Sequence, residues 1–223
     1  MLGLLTRQTR NIKVFIKAFK QTNIHRCSSV SCQSEYIRRI ILENTEIVGE
    51  QSLTPEFKLR LFTPNCRFWS EKPELWPFDD PYWAIYWPGG QALSRYLLDN
   101  PAVCRGKTVL DLGSGCGASA IAAKLCGAAH VVANDIDTGF DLILLGDMFY
   151  DKALATSLHS WLDHCINSHG TKVLIGDPGR AQFEEHCIRR LLRQLAQFEL
   201  PESIREENYG LTCSSVWCYR PEL

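Results

Sequence analysis

The feature that most constrains the fold is the stretch VLDLGSGCG at residues 109–117, an apolar run that ends in an acid and a glycine-rich turn. The run is short and is bounded by turn residues, which predicts a buried β-strand. The three glycines carry no Cβ, so a ligand can lie directly on the backbone. A helix is predicted immediately afterwards, over residues 118–124. This order places the turn between the carboxyl end of a strand and the amino end of a helix, where doubly wound sheets bind nucleotides.

The spacing of the glycines narrows the ligand. It is G-x-G-x-G, which differs from the G-x-G-x-x-G of dinucleotide enzymes, and the Lys-Ser/Thr pair of a phosphate-binding loop is missing. Asp111 stands two residues before Gly113, and an acid there suits a ligand with a cationic or hydroxylated part. A tight turn without a ligand is the alternative explanation, but the offset of the acid favours binding. Asp111, Gly113, Gly115 and Gly117 are therefore the candidate binding residues.

Length and composition narrow the function classes. The 223 residues fit one domain with room for a sizeable core. The formal net charge of -1 gives no basic field, which argues against a nucleic-acid-binding surface. No apolar run approaches the ~20 residues that a membrane span needs. The ten cysteines are scattered without a CxxC pair or metal-ligand spacing, which predicts free thiols in a reducing compartment and no metal site.

The amino terminus is basic, and residues 1–34 contain no Asp or Glu. On a helix its basic and apolar side chains fall on two opposite faces, one with Arg10, Lys13, Lys17 and Lys20, the other with Ile12, Phe15, Ile16 and Phe19. This pattern is typical of a mitochondrial transit peptide and predicts delivery to the matrix. The alternative is a solvated basic helix that belongs to the domain.

The remaining chain divides into an amino-terminal helical and aromatic segment, residues 35–100, and a ligand-binding domain, residues 101–223. Within the first segment a helix is predicted to start at Thr54, with Pro55 at its first position. Eight aromatic residues between 66 and 90 are predicted mainly to pack in a core, although they could also line a substrate entrance.

The domain continues with a second strand over residues 130–136, which ends in acids. Asp135 lies ~20 residues beyond the glycine turn, a spacing that places an acid to accept hydrogen bonds from ribose hydroxyls. The alternative role for Asp135 is that of a turn residue at the end of the strand. Asp137 is interpreted as turn chemistry only.

Further strands are predicted at 140–146 and 171–178, with helices at 152–167 and 182–198. The tail is predicted to form an antiparallel hairpin from residues 203–205 and 211–219. Alternating strands and helices give an α/β fold with a mostly parallel, Rossmann-like sheet and an antiparallel hairpin at its end.

Two motifs carry a resemblance to a known family. The run D-L-G-S-G-C-G at 111–117 resembles motif I of the seven-strand S-adenosylmethionine-dependent methyltransferases, and Asp135 matches the acid that follows it there. The run D-M-F-Y at 147–150 resembles the D-x-x-Y motif of the protein lysine methyltransferases in this family. The resemblance implies S-adenosylmethionine as the methyl donor, bound by the glycine turn and Asp135, with Trp87 approaching the donor.

The same resemblance implies roles for Asp147 and Tyr150 in catalysis. The Asp147 carboxylate would bind and orient the ammonium of the substrate lysine. The ring of Tyr150 would hold the methylated cation by cation–π attraction, which typically contributes ~0.5–2 kcal/mol. The structural alternatives are a helix cap for Asp147, although Asp151 is better placed for that, and simple packing for Tyr150.

Longer stretches at 80–101, 145–151 and 173–180 resemble the branch of this family that methylates the beta subunit of the mitochondrial electron transfer flavoprotein. That protein is therefore the implied partner. In the family a long segment with two helices and an edge strand precedes the strand of D-x-x-Y, and it is missing here after Asp137. We expect the sheet to lack that edge strand. The open alternatives are a shortened protein that only binds its partner, or a methyltransferase for another protein, a small molecule or RNA.

Overall fold

The computed structural model describes residues 30–72, 75, 81–133, 140–208 and 210–220. The chain forms two compact units, one from residues 1–47 and 60–85, the other from residues 48–59 and 86–223. Among the described residues, none of the helices combines the length and the apolar character that crossing a membrane requires. Most of the predicted transit peptide lies outside the described residues, and the first described helix begins at Val30.

The first unit contains helix α1 (Val30–Asn44) and the 3-10 helices Arg67–Trp69 and Pro81–Ala84. Its buried residues Phe62 and Ala84 are surrounded by partly buried apolar side chains, which include Tyr36, Ile40, Ile41, Cys66, Phe68, Trp69 and Trp83. The prediction that most aromatic residues between 66 and 90 pack in a core is confirmed for Phe68, Trp69 and Trp83. Two short strands, β1 (Glu46–Val48) and β2 (Leu59–Leu61), pair with each other.

The helix predicted to start at Thr54 is wrong, because this residue lies in a turn between β1 and β2. The Thr54 hydroxyl lies 3.0 Å from the Tyr86 hydroxyl, and the neighbouring Leu53 N–H donates to Gln91 Oε1 at 3.1 Å. The Thr54 hydroxyl that a local helix cap would have needed is thus engaged with Tyr86, and both long-range bonds hold the loop in place.

The second unit is built on a six-stranded sheet of described residues in the order β4-β3-β5-β6-β8-β7. The strands are β3 (Thr108–Leu112), β4 (His130–Ala133), β5 (Leu142–Gly146), β6 (Lys172–Asp177), β7 (Leu192–Glu199) and β8 (Cys213–Tyr219). Strands β4, β3, β5 and β6 run parallel to one another, and β8 pairs antiparallel with both β6 and β7. The mixed α/β sheet and its terminal antiparallel hairpin are therefore confirmed.

Helices cover both faces of this sheet. Helices α2 (Pro88–Asp99) and α3 (Ala118–Leu125) pack on one face, and α4 (Lys152–His169) and α5 (Ala181–Glu185) pack on the other. A further helix, α6 (Glu202–Glu207), has no buried residue. Alternate residues of a strand enter different apolar clusters: Leu110 packs with α4 residues, whereas Val109 packs with residues of α2 and α3. Burial on both faces explains why β3 and β5 read as continuous apolar runs.

The helix predicted over 182–198 is wrong beyond Glu185. A 3-10 helix, Cys187–Leu191, follows α5, and the chain then forms β7 beside β8. The apolar residues Leu191, Leu195 and Phe198 fit a helical period, but pairing with β8 satisfies the backbone. A register shift between Gln194 and Ala196 interrupts the strand alternation, which hid the strand in the sequence.

The predicted first strand of the terminal hairpin, 203–205, is also wrong. These residues lie in α6, and the hairpin is formed by β7 and β8. An acid in the first turn, Glu202, and a basic residue in the last turn, Arg205, suit the helix dipole at both ends of α6. The second predicted strand is confirmed over Cys213–Tyr219.

Among the described residues strand β4, His130–Ala133, forms the edge of the sheet, and residues 134–136 of the predicted strand lie outside them. Asp135 and Asp137 lie outside the described residues. Both β4 and β5 pair with β3, which places Ala133 of β4 beside Asp111 and Leu142 of β5 beside Val109. The return from β4 to β5 therefore covers ~12 Å in a straight line, from two residue rises and two strand spacings. Nine residue steps reach ~30 Å, which exceeds this distance, although parallel crossovers usually use a dozen residues or more.

Candidate functional site

The glycine turn after β3 has the backbone that only glycine adopts readily. Gly113, Gly115 and Gly117 have φ angles of 63°, 50° and 79°, all in the left-handed region. A Cβ on Gly117 would meet nothing within 4 Å, so the turn is open at the start of α3. A Cβ on Gly113 would lie 2.3 Å from Sδ of Met148, so this side chain closes the other side of the turn.

Asp111 connects strand β3 to helix α3 on the far side of the glycine turn. Its carboxylate is buried, and Oδ2 accepts a hydrogen bond of 2.9 Å from the backbone N–H of Ala120 in the first turn of α3. Burial raises the pKa of Asp111 to about 7, and the hydrogen bond from Ala120 opposes that rise. The acid that the sequence marked as a ligand residue therefore also ties β3 to the helix that follows it.

Asp147, at the end of β5, caps helix α2 from a distance. It is the only non-glycine residue with positive φ in the described chain, at 56°. Its Oδ2 accepts hydrogen bonds from the backbone N–H groups of Gly89 and, at 3.3 Å, of Gly90. The residue at the N-cap position, Trp87, makes no side-chain cap bond. The carboxylate of Asp147 thus satisfies donors that the start of a helix normally leaves unpaired.

Arg180 occupies the other oxygen of the same carboxylate. Its Nε and Nη2 donate to Asp147 Oδ1 at 2.9 and 2.6 Å, and the two side chains are 21% and 5% exposed. The guanidinium also lies 5.4 Å from the centre of the Trp87 ring, within cation–π range. Burial raises the pKa of Asp147, while Arg180 and the Gly89 and Gly90 N–H groups counteract the rise.

Glycines let the start of α2 lie directly against the ends of two strands. A Cβ on Gly176 of β6 would come within 2.1 Å of the Gly89 carbonyl oxygen. A Cβ on Gly146 of β5 would come within 2.9 Å of the Gly90 Cα. These approaches involve backbone atoms that cannot swing away, so the sequence needs glycine at these positions.

A second buried carboxyl, Asp177, lies at the end of β6. Its Oδ1 accepts backbone hydrogen bonds from Gly179 and Arg180, both at 2.8 Å. Its Oδ2 is buried and has no hydrogen-bond partner among the described residues. Burial and the nearby Asp147 carboxylate raise the pKa of Asp177 to about 7. A buried acceptor without a partner is uncommon in folded proteins and marks a position with unused hydrogen-bonding capacity.

The structure brings most of the predicted site residues to the carboxyl ends of β3 and β5. Trp87 joins Asp147 through Arg180, and Met148 contacts the glycine turn, whereas Tyr150 is 61% exposed. Asp151 caps α4 by accepting from Leu154 N–H at 2.8 Å, as predicted. Asp135 cannot be placed, because it lies outside the described residues.

Arg180 and Asp177 were not identified from the sequence. The sequence did contain a signal for Asp177. Asp147 directly follows β5, Asp177 ends the neighbouring parallel strand β6, and Asp111 lies near the end of β3. The carboxyl ends of parallel strands meet at one edge of a sheet, where α/β proteins bind their ligands. Acids at the ends of neighbouring parallel strands are therefore expected to lie close together.

Comparison with known proteins places this site in a family. Residues 91–139 match the family model described as ribosomal protein L11 methyltransferase (PrmA). The electron transfer flavoprotein beta subunit lysine methyltransferase of Danio rerio is 62% identical over 214 residues, covering 82% of this chain and 83% of the relative. The Mus musculus protein of the same name is 54% identical over 222 residues, covering 86% and 87%. A Caenorhabditis elegans homolog is 36% identical over 228 residues, covering 79% and 93%.

The alignments also show that this chain has fewer residues than its relatives within the aligned region. Because 82% of 223 residues is about 183, about 30 of the 214 positions aligned with the Danio rerio protein fall opposite gaps in this chain. The Mus musculus alignment gives about 192 of 222 positions and hence the same difference. The match to the family model ends at residue 139, close to the predicted break after Asp137.

The alignments extend over more than four-fifths of both the Danio rerio and the Mus musculus relatives. It therefore includes the glycine turn and most of the sheet that positions it. This chain belongs to the S-adenosylmethionine-dependent family of electron transfer flavoprotein beta subunit lysine methyltransferases.

Proposed function

We propose that this chain transfers methyl groups from S-adenosylmethionine to lysines of the electron transfer flavoprotein beta subunit. The names of its relatives support this substrate. The observation that carries the proposal is the junction of the two motifs, where Met148 of D-x-x-Y lies against Gly113 of the glycine turn. A lysine that approaches Asp147 would then arrive beside the donor.

The described residues fit this donor. The turn is open at Gly117, next to the amino end of α3, and the three left-handed glycines allow a ligand to approach the backbone. The buried Asp111 keeps that turn in place through Ala120. S-adenosylmethionine, when bound, supplies an electrophilic methyl group on a sulfonium sulfur. We assign the ribose hydroxyls to Asp135, in line with the family motif.

The chain has to orient the lysine and help it to lose a proton, because a lysine amine with a pKa of ~10.4 arrives as an ammonium. We assign the ammonium to Asp147 Oδ1, which Arg180 now occupies. Lysine and Arg180 would then compete for one oxygen. Oδ2 of Asp177 is a buried acceptor that no described residue fills, and the exposed Tyr150 is available to the methylated cation.

The test is methyl transfer to the purified beta subunit. The chain is incubated with S-adenosylmethionine labelled on the methyl group, and the acceptor residues are located by digestion and mass spectrometry. We expect label on lysines of the beta subunit. A Gly113→Arg variant should give none, because arginine would need a left-handed φ and would displace Met148.

Two outcomes would redirect the proposal. Label that appears only on another protein, a small molecule or RNA in a mitochondrial extract would assign a different substrate. Binding of the beta subunit without any transfer of label, by a chain that also fails to bind the donor, would identify a protein that only holds its partner.

We further propose that the protein works in the mitochondrial matrix. The support is the acid-free amphipathic stretch at residues 1–34. A soluble reporter fused to residues 1–40 is expected to reach the matrix, as seen by fractionation and protease protection. The matched control carries glutamate at positions 10, 13, 17 and 20. If the control were imported equally well, or if the original fusion stayed in the cytosol, the proposal would be refuted.

A further inference from the structure

A second group of reactive side chains lies on α4 and at the start of the 3-10 helix Cys187–Leu191. His159, His186 and Cys187 each offer one ligand atom, and these atoms all lie within 4.8 Å of one another. The activity proposed above uses none of the three. We propose that they form a zinc-binding site with two imidazole ligands, one thiolate ligand and an open fourth position.

The distance between His159 and Cys187 fits this metal. Tetrahedral zinc with bonds of ~2.0–2.1 Å to nitrogen and ~2.3 Å to sulfur places the two ligand atoms ~3.6 Å apart. Nδ1 of His159 lies 3.6 Å from Sγ of Cys187. This pair therefore already has the separation that a shared zinc ion would impose.

The other ring nitrogen of His159 is held by a chain of hydrogen bonds. Nε2 lies 2.8 Å from the Tyr219 hydroxyl, and that hydroxyl donates to Oδ1 of Asp163. Because the Tyr219 proton is used on Asp163, Nε2 of His159 donates to the tyrosine oxygen. Nδ1 then carries a lone pair directed towards Cys187. Zinc-binding histidines commonly have such a partner on the second nitrogen, which fixes the tautomer and the ring.

His186 lies beside these two residues. Its Nδ1 accepts a hydrogen bond of 3.2 Å from Ile188 N–H, so a neutral ring carries its proton on Nε2. Zinc binding therefore requires either that the ion replaces Ile188 N–H at Nδ1 or that the ring changes tautomer and frees Nε2. The ring packs edge-on against His159 at 5.4 Å and contacts Phe149 at 5.6 Å between centroids. These contacts hold the ring beside the pair, with its ligand atom within 4.8 Å of the other two, and coordination would shorten these separations to ~3.3–3.6 Å.

Exposure and ligand chemistry favour zinc with one open position. Cys187 is exposed, so a metal can enter and a water can complete the tetrahedron. Two imidazoles with one thiolate are ligands that zinc accepts readily, and three protein ligands with a water is the pattern of an open zinc site. The scattered cysteines hid this site in the sequence, because His159 stands 28 residues before Cys187.

Cobalt substitution tests the proposal directly. The metal-free chain is titrated with Co²⁺ and followed by absorption, which detects tetrahedral coordination and a thiolate-to-cobalt band in the near ultraviolet. We expect one Co²⁺ per chain with that band, and displacement of Co²⁺ by Zn²⁺. Cys187→Ala and His186→Ala should abolish the band. The matched controls Cys213→Ala and His164→Ala change a cysteine and a histidine outside the group and should keep it.

A further variant separates coordination from simple proximity. Tyr219→Phe keeps the three ligands but removes the partner of His159 Nε2, and we expect zinc affinity to fall about 10- to 100-fold with the cobalt–thiolate band retained. A chain that binds no Co²⁺, or binding that lacks the thiolate band, would overturn the proposal. Binding that persists in Cys187→Ala or disappears in Cys213→Ala would overturn it as well.

Discussion

Restoring the missing segment is expected to tighten donor binding at least about tenfold. The change is a chimera in which the Danio rerio relative's corresponding residues are inserted after Asp137. Parallel crossovers usually need a dozen residues or more, and the restored length would allow Asp135, which we assign to the ribose hydroxyls, to reach the edge of the site. Hydrogen bonds to a charged acceptor contribute ~1.5–3 kcal/mol, which corresponds to about 10- to 100-fold in affinity. Calorimetric titration with S-adenosylmethionine would measure the difference.

The control is the same chimera with Asp135→Ala. It should lose the gain in affinity while keeping the longer crossover, because only the carboxylate has been removed. Equal donor affinity for the natural chain and the chimera would contradict the prediction. It would mean that the donor site is complete without the segment.

Asp147→Ala is expected to lower the free energy of unfolding by about 3–5 kcal/mol, the usual cost of removing one partner of a buried ion pair. The variant leaves the Arg180 guanidinium without its carboxylate and leaves the Gly89 and Gly90 N–H groups without an acceptor. Both partners are mainly buried, so solvent provides little compensation. Urea unfolding monitored by tryptophan fluorescence would measure the loss.

Asp151→Ala provides a matched control for this variant. Asp151 also caps a helix, but it is exposed and its bond to Leu154 is local, so we expect a loss of about 1 kcal/mol. If Asp147→Ala cost no more than Asp151→Ala, the buried network would have no special importance. A donor titration on the folded Asp147→Ala protein would also show whether Trp87 needs the network to support donor binding.

The sequence predicts the local features of the site well. Gly113, Gly115 and Gly117 form the predicted turn after a buried strand, with a left-handed backbone, and Asp111 lies at the carboxyl end of that strand. The Asp151 cap could also be predicted, because a cap and its helix are adjacent in the chain. Such features are encoded by residues within a few positions of one another.

Long-range pairings escaped prediction for a physical reason. Arg180 lies 33 residues from Asp147, and nothing in either local sequence indicates the partner. The strand β7 was mistaken for a helix because a register shift breaks its alternation, and only pairing with β8 selects the strand. The group of His159, His186 and Cys187 likewise forms only when α4 and the following 3-10 helix pack together.

The cap that Asp147 provides has a consequence for the order in which the protein folds. Helix α2 starts with Pro88-Gly89-Gly90, and two glycines at the start of a helix carry a high entropic cost. The carboxylate that stabilises this turn comes 58 residues later, and Arg180 emerges from the ribosome later still. Contacts that close such long loops form late. The amino-terminal turn of α2, with Trp87 at its tip, should therefore settle only after β5 and β6 have been synthesised and have joined the sheet.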